Sequence, residues 1–470
     1  MVNMASSNGS PRKACIIGAG SSGITACKTL RERGIPYDCF EIGSGIGGMW
    51  RYQNDNGRSS AYRSLHINTS RDTMAYSDFP LPREWPPFPD HTKVLQYFES
   101  YVDHFGFRDT ITFRTKVEKV EPVGNGDWDV TVVGPDGQPR TNRYGAVLVA
   151  NGHHWNPRTV TYPGEFHGQQ LHSHHYRTPD IGVGKRALVV GFGNSSCDIA
   201  CELSRISDAT FMSVRRGAHV IPKYLFFGMA MDTFLPQFVW KLLPWWLIRP
   251  FFGLGLWLIR GSMSSYGLPE PEHHVLHEHP TISADLFNVI GHGYLRTKPN
   301  VQELCGDSVK FVDGSVEKID VIVWCTGYNI SFPFFDHRII DPLNNEVSLY
   351  HQVVHPDQPG LYFVGLVQPW GAIMPLAEAQ SKWVADLLTG KSGLPPRDKM
   401  LAEIQHHRAS ITRRYTKSLR HTIQVDFYPY QRLLTKTSRQ GQRWPKRPLN
   451  AETAAESCPR NEGGKAKKAA

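Results

Sequence analysis

Eight cysteines are scattered through the 470 residues, and no two form a Cys-x-x-Cys pair. Dithiol–disulfide redox chemistry is thereby excluded, and the cysteines within apolar stretches read as small core residues kept reduced. No Gly-x-Ser-x-Gly elbow occurs, so nucleophilic hydrolysis has no support. The N-terminus, Met1-Val2-Asn3-Met4-Ala5-Ser6-Ser7, has neither a charged segment nor an apolar core. It gives no secretory signal, and a cytoplasmic protein is expected. An uninterrupted apolar run of the roughly 18 to 20 residues needed for a membrane span is also missing. The nearest candidate, Phe234 to Arg260, is broken by Pro236, Lys241, Pro244, Arg249 and Pro250. That segment fits either a lid packed on the other domains, the preferred reading, or an interfacial patch with snorkelling cations that makes peripheral membrane contact.

Acidic residues are scarce at the C-terminal end. Residues 431–470 hold ten Lys or Arg against three Glu, so +7 of the net charge of +9 lies there. The remainder is close to neutral, which argues against a nucleic-acid partner, and the basic end reads as a disordered, solubilising tail.

What the chain does contain is two glycine-rich loops about one domain apart, Gly18-Ala19-Gly20-Ser21-Ser22-Gly23 and Gly191-Phe192-Gly193-Asn194-Ser195-Ser196. The first lies between the apolar run Ala14-Cys15-Ile16-Ile17 and a stretch of helical periodicity through Ile24, Ala26, Cys27 and Leu30. Strand, glycine turn and helix start together form a pyrophosphate cradle. A second strand, Tyr37-Asp38-Cys39-Phe40-Glu41, ends in an acid at the distance where a carboxylate grips the ribose hydroxyls of FAD or NAD. Gly18, Gly20, Ser21, Ser22, Gly23 and Glu41 are therefore assigned to one nucleotide.

The second loop follows Arg186-Ala187-Leu188-Val189-Val190 and opens a helix through Ile199, Leu203 and Ile206. Its next strand, Thr210 to Val214, ends in Arg215-Arg216 rather than an acid. A guanidinium matches the 2′-phosphate that a carboxylate would repel, so NADPH is the second nucleotide, with two solvated arginines as the bland alternative. Gly191, Gly193, Asn194, Ser195, Ser196, Arg215 and Arg216 form this set, in which Ser196 replaces the third glycine.

These features predict an α/β protein of two Rossmann-like dinucleotide-binding domains, the second inserted in the first. The expected division is a flexible N-terminus (1–12), the first part of an FAD domain (13–175), an NADPH domain (176–325) with the apolar insertion 234–260, the second part of the FAD domain (326–440) and the tail (441–470). Strand candidates at Thr115–Pro122, Trp128–Val133 and Ala146–Ala150 suggest a β-meander in the first part. A helix is expected around Lys93–Phe105 and another from about Glu378.

The chain also resembles the flavin-containing monooxygenase family from about residue 13 to residue 430. Phe166-His167-Gly168-Gln169-Gln170-Leu171-His172-Ser173-His174-His175-Tyr176-Arg177 is similar to the family's F-x-G-x-x-x-H-x-x-x-Y/F signature. Baeyer–Villiger monooxygenases carry Trp in the place of Tyr176. Gly47-Gly48-Met49-Trp50-Arg51 is similar to the family's G-G-L-W-R, and His66-Ile67-Asn68-Thr69-Ser70 falls where the family places an asparagine beside the flavin. Ala150-Asn151-Gly152 and Cys325-Thr326-Gly327-Tyr328 resemble its two A-T-G linkers, with Asn151 and Cys325 as departures. Pro369-Trp370-Gly371-Ala372 with Glu378-Ala379-Gln380 resembles its C-terminal flavin contact.

The resemblance implies FAD and NADPH as cofactors, with Met49, Trp50, Asn68, Thr69, Val117 and Gln380 beside the FAD and Asn68 as the catalytic residue. It implies that NADPH reduces FAD, that dioxygen adds at flavin C4a as a hydroperoxide, and that a small nucleophilic amine, sulfide or thiol-containing compound takes one oxygen atom. Baeyer–Villiger oxidation of a ketone, an NADPH oxidase or reductase without oxygenation, and a non-enzymatic nucleotide sensor are the alternatives. Homodimer formation is left open. His273, His274, His277 and His279 read as a surface patch, because no matched carboxylate or third ligand set is evident, and no metal is expected. Cys197 and Cys201 are read as packing towards the sheet, and His172 as the histidine that orients the linker.

Overall fold

In the computed structural model, residues 12–450 are described apart from 235–244, 276, 279 and 416–421. Four consecutive apolar residues cannot face water on either side, and β1 (Ala14–Ile17) is buried along its whole length. It pairs in parallel with β2 (Tyr37–Phe40) on one side and with the Ala146–Val149 strand on the other, Ala14 lying opposite Tyr37 and Ala146. Between β1 and β2 runs α1 (Ser21–Glu32), whose buried positions include Ile24, Ala26, Cys27 and Leu30. Leu361–Phe363 closes one edge of this sheet and Ile111–Thr112 the other. The chain therefore leaves the first sheet after Val149 and rejoins it at Leu361, although Ile330, Phe332 and Phe334 already pack in the first module's core.

The excursion builds a second sheet of the same design. Arg186–Val190 lies at its centre, in parallel with Ala209–Ser213 and Val321–Trp324, and Leu295–Lys298 and Gln169–His172 form its edges. Asn194–Leu203 is the helix that follows its glycine loop. In each sheet the strand before the glycine loop has neighbours reached in opposite directions, so both loops open at a topological switch point. A meander is present as Lys116–Gly124, Asp127–Val133 and Pro139–Tyr144, all antiparallel, but its third strand is not the one expected: Ala146–Val149 lies in the first parallel sheet beside β1.

Several boundaries differ from expectation. Gln169–His172 pairs with Val321–Trp324, so the signature segment belongs to the second module and the division at 175/176 is displaced towards Val149. Ile206 lies in turns beyond the helix, which ends at Leu203. The C-terminal helix starts at Met374, four residues ahead of Glu378, because Pro375 is tolerated in a first turn. The tail expected from 441 is packed at least to residue 450: Leu449 is buried, its N–H donates to the Leu388 carbonyl, and Asn450 and Arg12 bond each other. Residues 1–11 and 451–470 lie outside the described residues.

The apolar insertion is only partly packed. Trp245–Arg260 is helical, with Pro250 inside it. Leu256 is buried against Ile221 and Val275, yet Phe251, Leu254, Trp257 and Leu258 are exposed, Phe251 by 72% and Trp257 by 59%. Pro236, Lys241 and Pro244 fall outside the described residues. No helix among those described is long and apolar enough to cross a membrane.

Candidate functional site

The first glycine loop turns at Gly18, with φ +100°. A Cβ on Gly23 would stand 1.8 Å from the Gly18 carbonyl oxygen, so only glycine lets helix and loop close. Gly20, which precedes α1, supplies no side-chain cap, and the N–H groups of Ser21, Ser22 and Gly23 point out as an anion-binding end. Glu41 is buried beside them. Its carboxylate accepts the Ala19 N–H at 2.8 Å and the Gly43 N–H at 2.8 Å. Two backbone bonds hold the acid at the loop, where a ribose would meet it.

Met49 and Trp50 follow in a short turn whose Gly48 packs on Gly20, which places them at the mouth of the same cradle. Thr69 and Asn68 sit on the segment between Leu65 and Ser70, tied by the Ile67 N–H to the Pro89 carbonyl at 3.1 Å. The Asn68 Oδ1 is buried and has no hydrogen-bond partner among the described residues. A buried amide oxygen of this kind fits a ligand that brings a donor. Val117 is in the hydrophobic cluster with Ile17 and Phe40, behind the strand that ends at Glu41. Gln380 is fully buried with both ends of its amide engaged: it accepts the Gly365 N–H at 2.7 Å and donates to the Tyr430 hydroxyl at 2.8 Å. It therefore helps to fix Gly365 and Tyr430, with one amide N–H and one oxygen lone pair left over by these two bonds.

The second loop repeats the turn, with Gly191 at φ +133° and its would-be Cβ 2.5 Å from the Cys325 carbonyl oxygen. Ser196 explains its own departure from glycine: its hydroxyl accepts the Gly193 N–H at 2.6 Å and donates to the Gly193 carbonyl at 2.7 Å. Asn194 is committed to the fold, its Oδ1 accepting the Ile282 N–H at 2.7 Å. Ser195, Arg215 and Arg216 line a cavity of about 1780 Å³ that also takes in Met49 and Ser60 of the first module and the linker residues His153, Cys325 and Tyr328. Both arginines are exposed to it.

The linkers are cross-braced. Asn151 donates to the Ser331 carbonyl at 3.1 Å, which gives the departure from threonine a role. His172 sets its ring edge-on to Tyr328 at 5.4 Å. Burial pushes the Cys325 thiol pKa up to about 12, which disfavours the thiolate. Tyr176 is wholly buried and its hydroxyl donates to Glu202 at 2.7 Å, so the signature's tyrosine is pinned to the helix behind the second loop.

Three groups escaped the sequence reading. Arg158 donates to the Thr326 carbonyl at 2.9 Å, lines the cavity and lies close enough to Arg215 that burial and this like charge both lower its pKa. Tyr162 stacks on Trp324 at 5.7 Å. Tyr62 of the first module donates to Asp198 of the second at 2.6 Å. None lies in a motif: Arg158 and Tyr162 meet their partners within the second module and its linker, and Tyr62 reaches across from the first. Among the described residues no group of three or more His, Cys, Asp or Glu could hold a metal. His273 pairs with Glu278 at 3.2 Å and His274 lies edge-on to His277, while His279 is outside the described residues. Cys197 and Cys201 are buried in the cluster beneath the second sheet.

Two glycine turns, one beside a buried carboxylate and the other beside paired arginines that line the cavity, are the arrangement expected of a two-nucleotide oxidoreductase. The family model of flavin-binding monooxygenase-like proteins matches residues 11–438. The chain is 36% identical over 433 residues to human flavin-containing monooxygenase 5, covering 88% of this chain and 80% of that protein. It is 34% identical over 442 residues to rat dimethylaniline monooxygenase (N-oxide-forming) 2, covering 89% and 81%. The S-allyl-L-cysteine S-oxygenase structure from Allium sativum matches at 26% identity with a TM-score of 0.69, covering 91% of this chain and 88% of that one. The chain belongs to the flavin-binding monooxygenase-like family, and it is an FAD- and NADPH-dependent monooxygenase.

Proposed function

We propose that the protein oxygenates a small nitrogen- or sulfur-containing nucleophile, with Asn68 as the residue that meets the reacting oxygen. The substrate takes one atom of dioxygen, the other leaves as water, and NADPH supplies the two electrons. Bound FAD supplies the redox centre at which those electrons meet dioxygen. The residues that would hold it are the N–H groups of Ser21 to Gly23, Glu41, Met49, Trp50 and Thr69. Gly191 to Ser196 would seat the coenzyme pyrophosphate, and Arg215 and Arg216 its 2′-phosphate.

The observation that carries this reading is the buried, unpartnered Asn68 Oδ1. An amide can donate through Nδ2 and accept through Oδ1, whereas a carboxylate at this position would only accept and would add a charge. Asn68→Asp is therefore expected to keep its FAD and consume NADPH while releasing hydrogen peroxide in place of oxygenated product. An unchanged product yield would defeat the role.

The amine and sulfide substrates named by the relatives, N-oxide formation on dimethylaniline and S-oxygenation of S-allyl-L-cysteine, are the first to assay. We also propose that the exposed face of Trp245–Arg260 touches a lipid surface peripherally, since Phe251, Leu254, Trp257 and Leu258 project together at helical spacing. Recovery of all the protein in the supernatant after sedimentation with anionic liposomes at moderate salt would sink that contact.

A further inference from the structure

The segment that carries Asn68 belongs to the first module, but it is gripped by the second. After Val220–Ile221 the chain forms a small hairpin: Tyr224 bridges Ala230, the Leu225 N–H donates to the Met229 carbonyl at 2.9 Å, and the Met231 N–H to the Lys223 carbonyl at 2.9 Å. Its tip turns at Phe227 and Gly228, both at positive φ. Lys223 at one foot of the hairpin donates to the Ile67 carbonyl at 3.2 Å. Asp232, just past the other foot, accepts the Ser70 N–H at 2.7 Å, the Ser70 hydroxyl at 2.9 Å and the Thr73 hydroxyl through one oxygen, Oδ2. One hairpin thus grips the backbone on both sides of Asn68, one residue before it and two after. Tyr224 sets its ring edge-on to Phe88 at 5.3 Å, and the Lys223 ammonium lies over the same ring at 5.2 Å. Phe88 is next to Pro89, the residue that holds the Ile67 N–H.

We infer that Lys223 and Asp232 are positioning residues: a two-pronged clamp through which the coenzyme-binding module sets the pose of Asn68. The inference rests on the reading of Asn68 given above. Neither side chain needs to touch substrate. Three donors converging on one carboxylate oxygen, including a backbone N–H of a buried residue, form an arrangement that a loop does not keep once the acceptor is removed.

The test uses the FAD-loaded protein and two independent readouts. In hydrogen-exchange mass spectrometry, Asp232→Ala is expected to speed exchange across residues 67–74 by about tenfold, with the strands of both sheets unaffected. In the same variant the share of NADPH electrons recovered as hydrogen peroxide is expected to rise about threefold or more, while anaerobic reduction by NADPH keeps its rate. Asp232→Asn, which retains an acceptor oxygen but no charge, should fall between the parent and Asp232→Ala. Lys223→Met loosens the other prong and serves where Asp232→Ala does not retain flavin. Unchanged exchange in both Asp232→Ala and Lys223→Met overturns the clamp, and faster exchange with an unchanged peroxide share overturns its positioning role. If Asn68→Asp keeps its product yield, the reading of Asn68 fails, whereas the exchange data report on the clamp independently.

Discussion

Replacing Asp198 by asparagine should stabilise the protein in neutral and alkaline solution, and the gain should disappear in acid. The Asp198 carboxylate reaches across the module boundary to accept the Tyr62 hydroxyl at 2.6 Å. Burial pushes its pKa up from 3.8 to about 6, helped by Glu202 and opposed by the Tyr62 hydrogen bond and the Lys223 ammonium. An acid whose folded pKa lies above its unfolded value binds more protons in the folded state between the two, so stability falls as pH rises through that window. The full cost is present above about pH 6 and absent below about pH 4. Two units at 1.36 kcal/mol each set an upper bound of about 3 kcal/mol. The residue as a whole is only half-buried although its carboxylate is enclosed, and solvent screening trims the figure to about 2 kcal/mol. The amide oxygen of Asp198→Asn can still accept from Tyr62 without a charge to desolvate. Thermal melts followed by release of flavin fluorescence, run from pH 4 to pH 8, should show the variant melting about 2 to 5 °C higher at pH 8 and together with the parent at pH 4. A variant that melts lower at pH 8, or a difference that does not change with pH, would refute the argument.

Three further outcomes follow from the cradles and their braces. Arg216→Ala should raise the KM for NADPH about ten- to hundredfold with little effect on NADH, since a charge-assisted phosphate contact contributes about 1.5 to 3 kcal/mol; equal losses for both coenzymes would remove the 2′-phosphate assignment. Gly23→Ala places a methyl group 1.8 Å from the Gly18 carbonyl oxygen and should yield colourless protein that does not take up FAD, while normal FAD content on purification would contradict the close approach. Tyr176→Phe leaves Glu202 without its 2.7 Å donor and should lower stability by about 1 to 2 kcal/mol, measured by urea melts; a loss below about 0.3 kcal/mol would make the signature's hydroxyl dispensable.

Each cradle was legible because its chemistry is local. A buried strand, a glycine turn and a helix start occupy a dozen consecutive residues, and the acid or arginines that complete them stand at the next strand end, as with Glu41 and Arg215. The meander was legible only in part: Asp127–Val133 alternates along its length, whereas Pro139–Tyr144 is polar and almost wholly exposed and carries no such signal. Boundaries were less so. Gln169–His172 has the composition of a connector, and only its register with Val321–Trp324 makes it an edge of the second sheet. The basic end from 441 looked like a solvated tail on charge alone, but Leu449 docks beside Leu388, and packing outweighs composition wherever one apolar side chain finds a cavity.

By itself the sequence determined the two glycine turns, the acid that follows one and the paired arginines that follow the other, and the family to which the chain belongs, because glycines, carboxylates and guanidinium groups at fixed spacing constrain backbone and charge within one local unit. The tertiary structure alone decided how the two units address each other: Tyr62 against Asp198, and the hairpin of Lys223 and Asp232 around Asn68. Those contacts join residues separated by about one domain of chain. Their partners are chosen by the docking of two sheets, which no local period or spacing encodes.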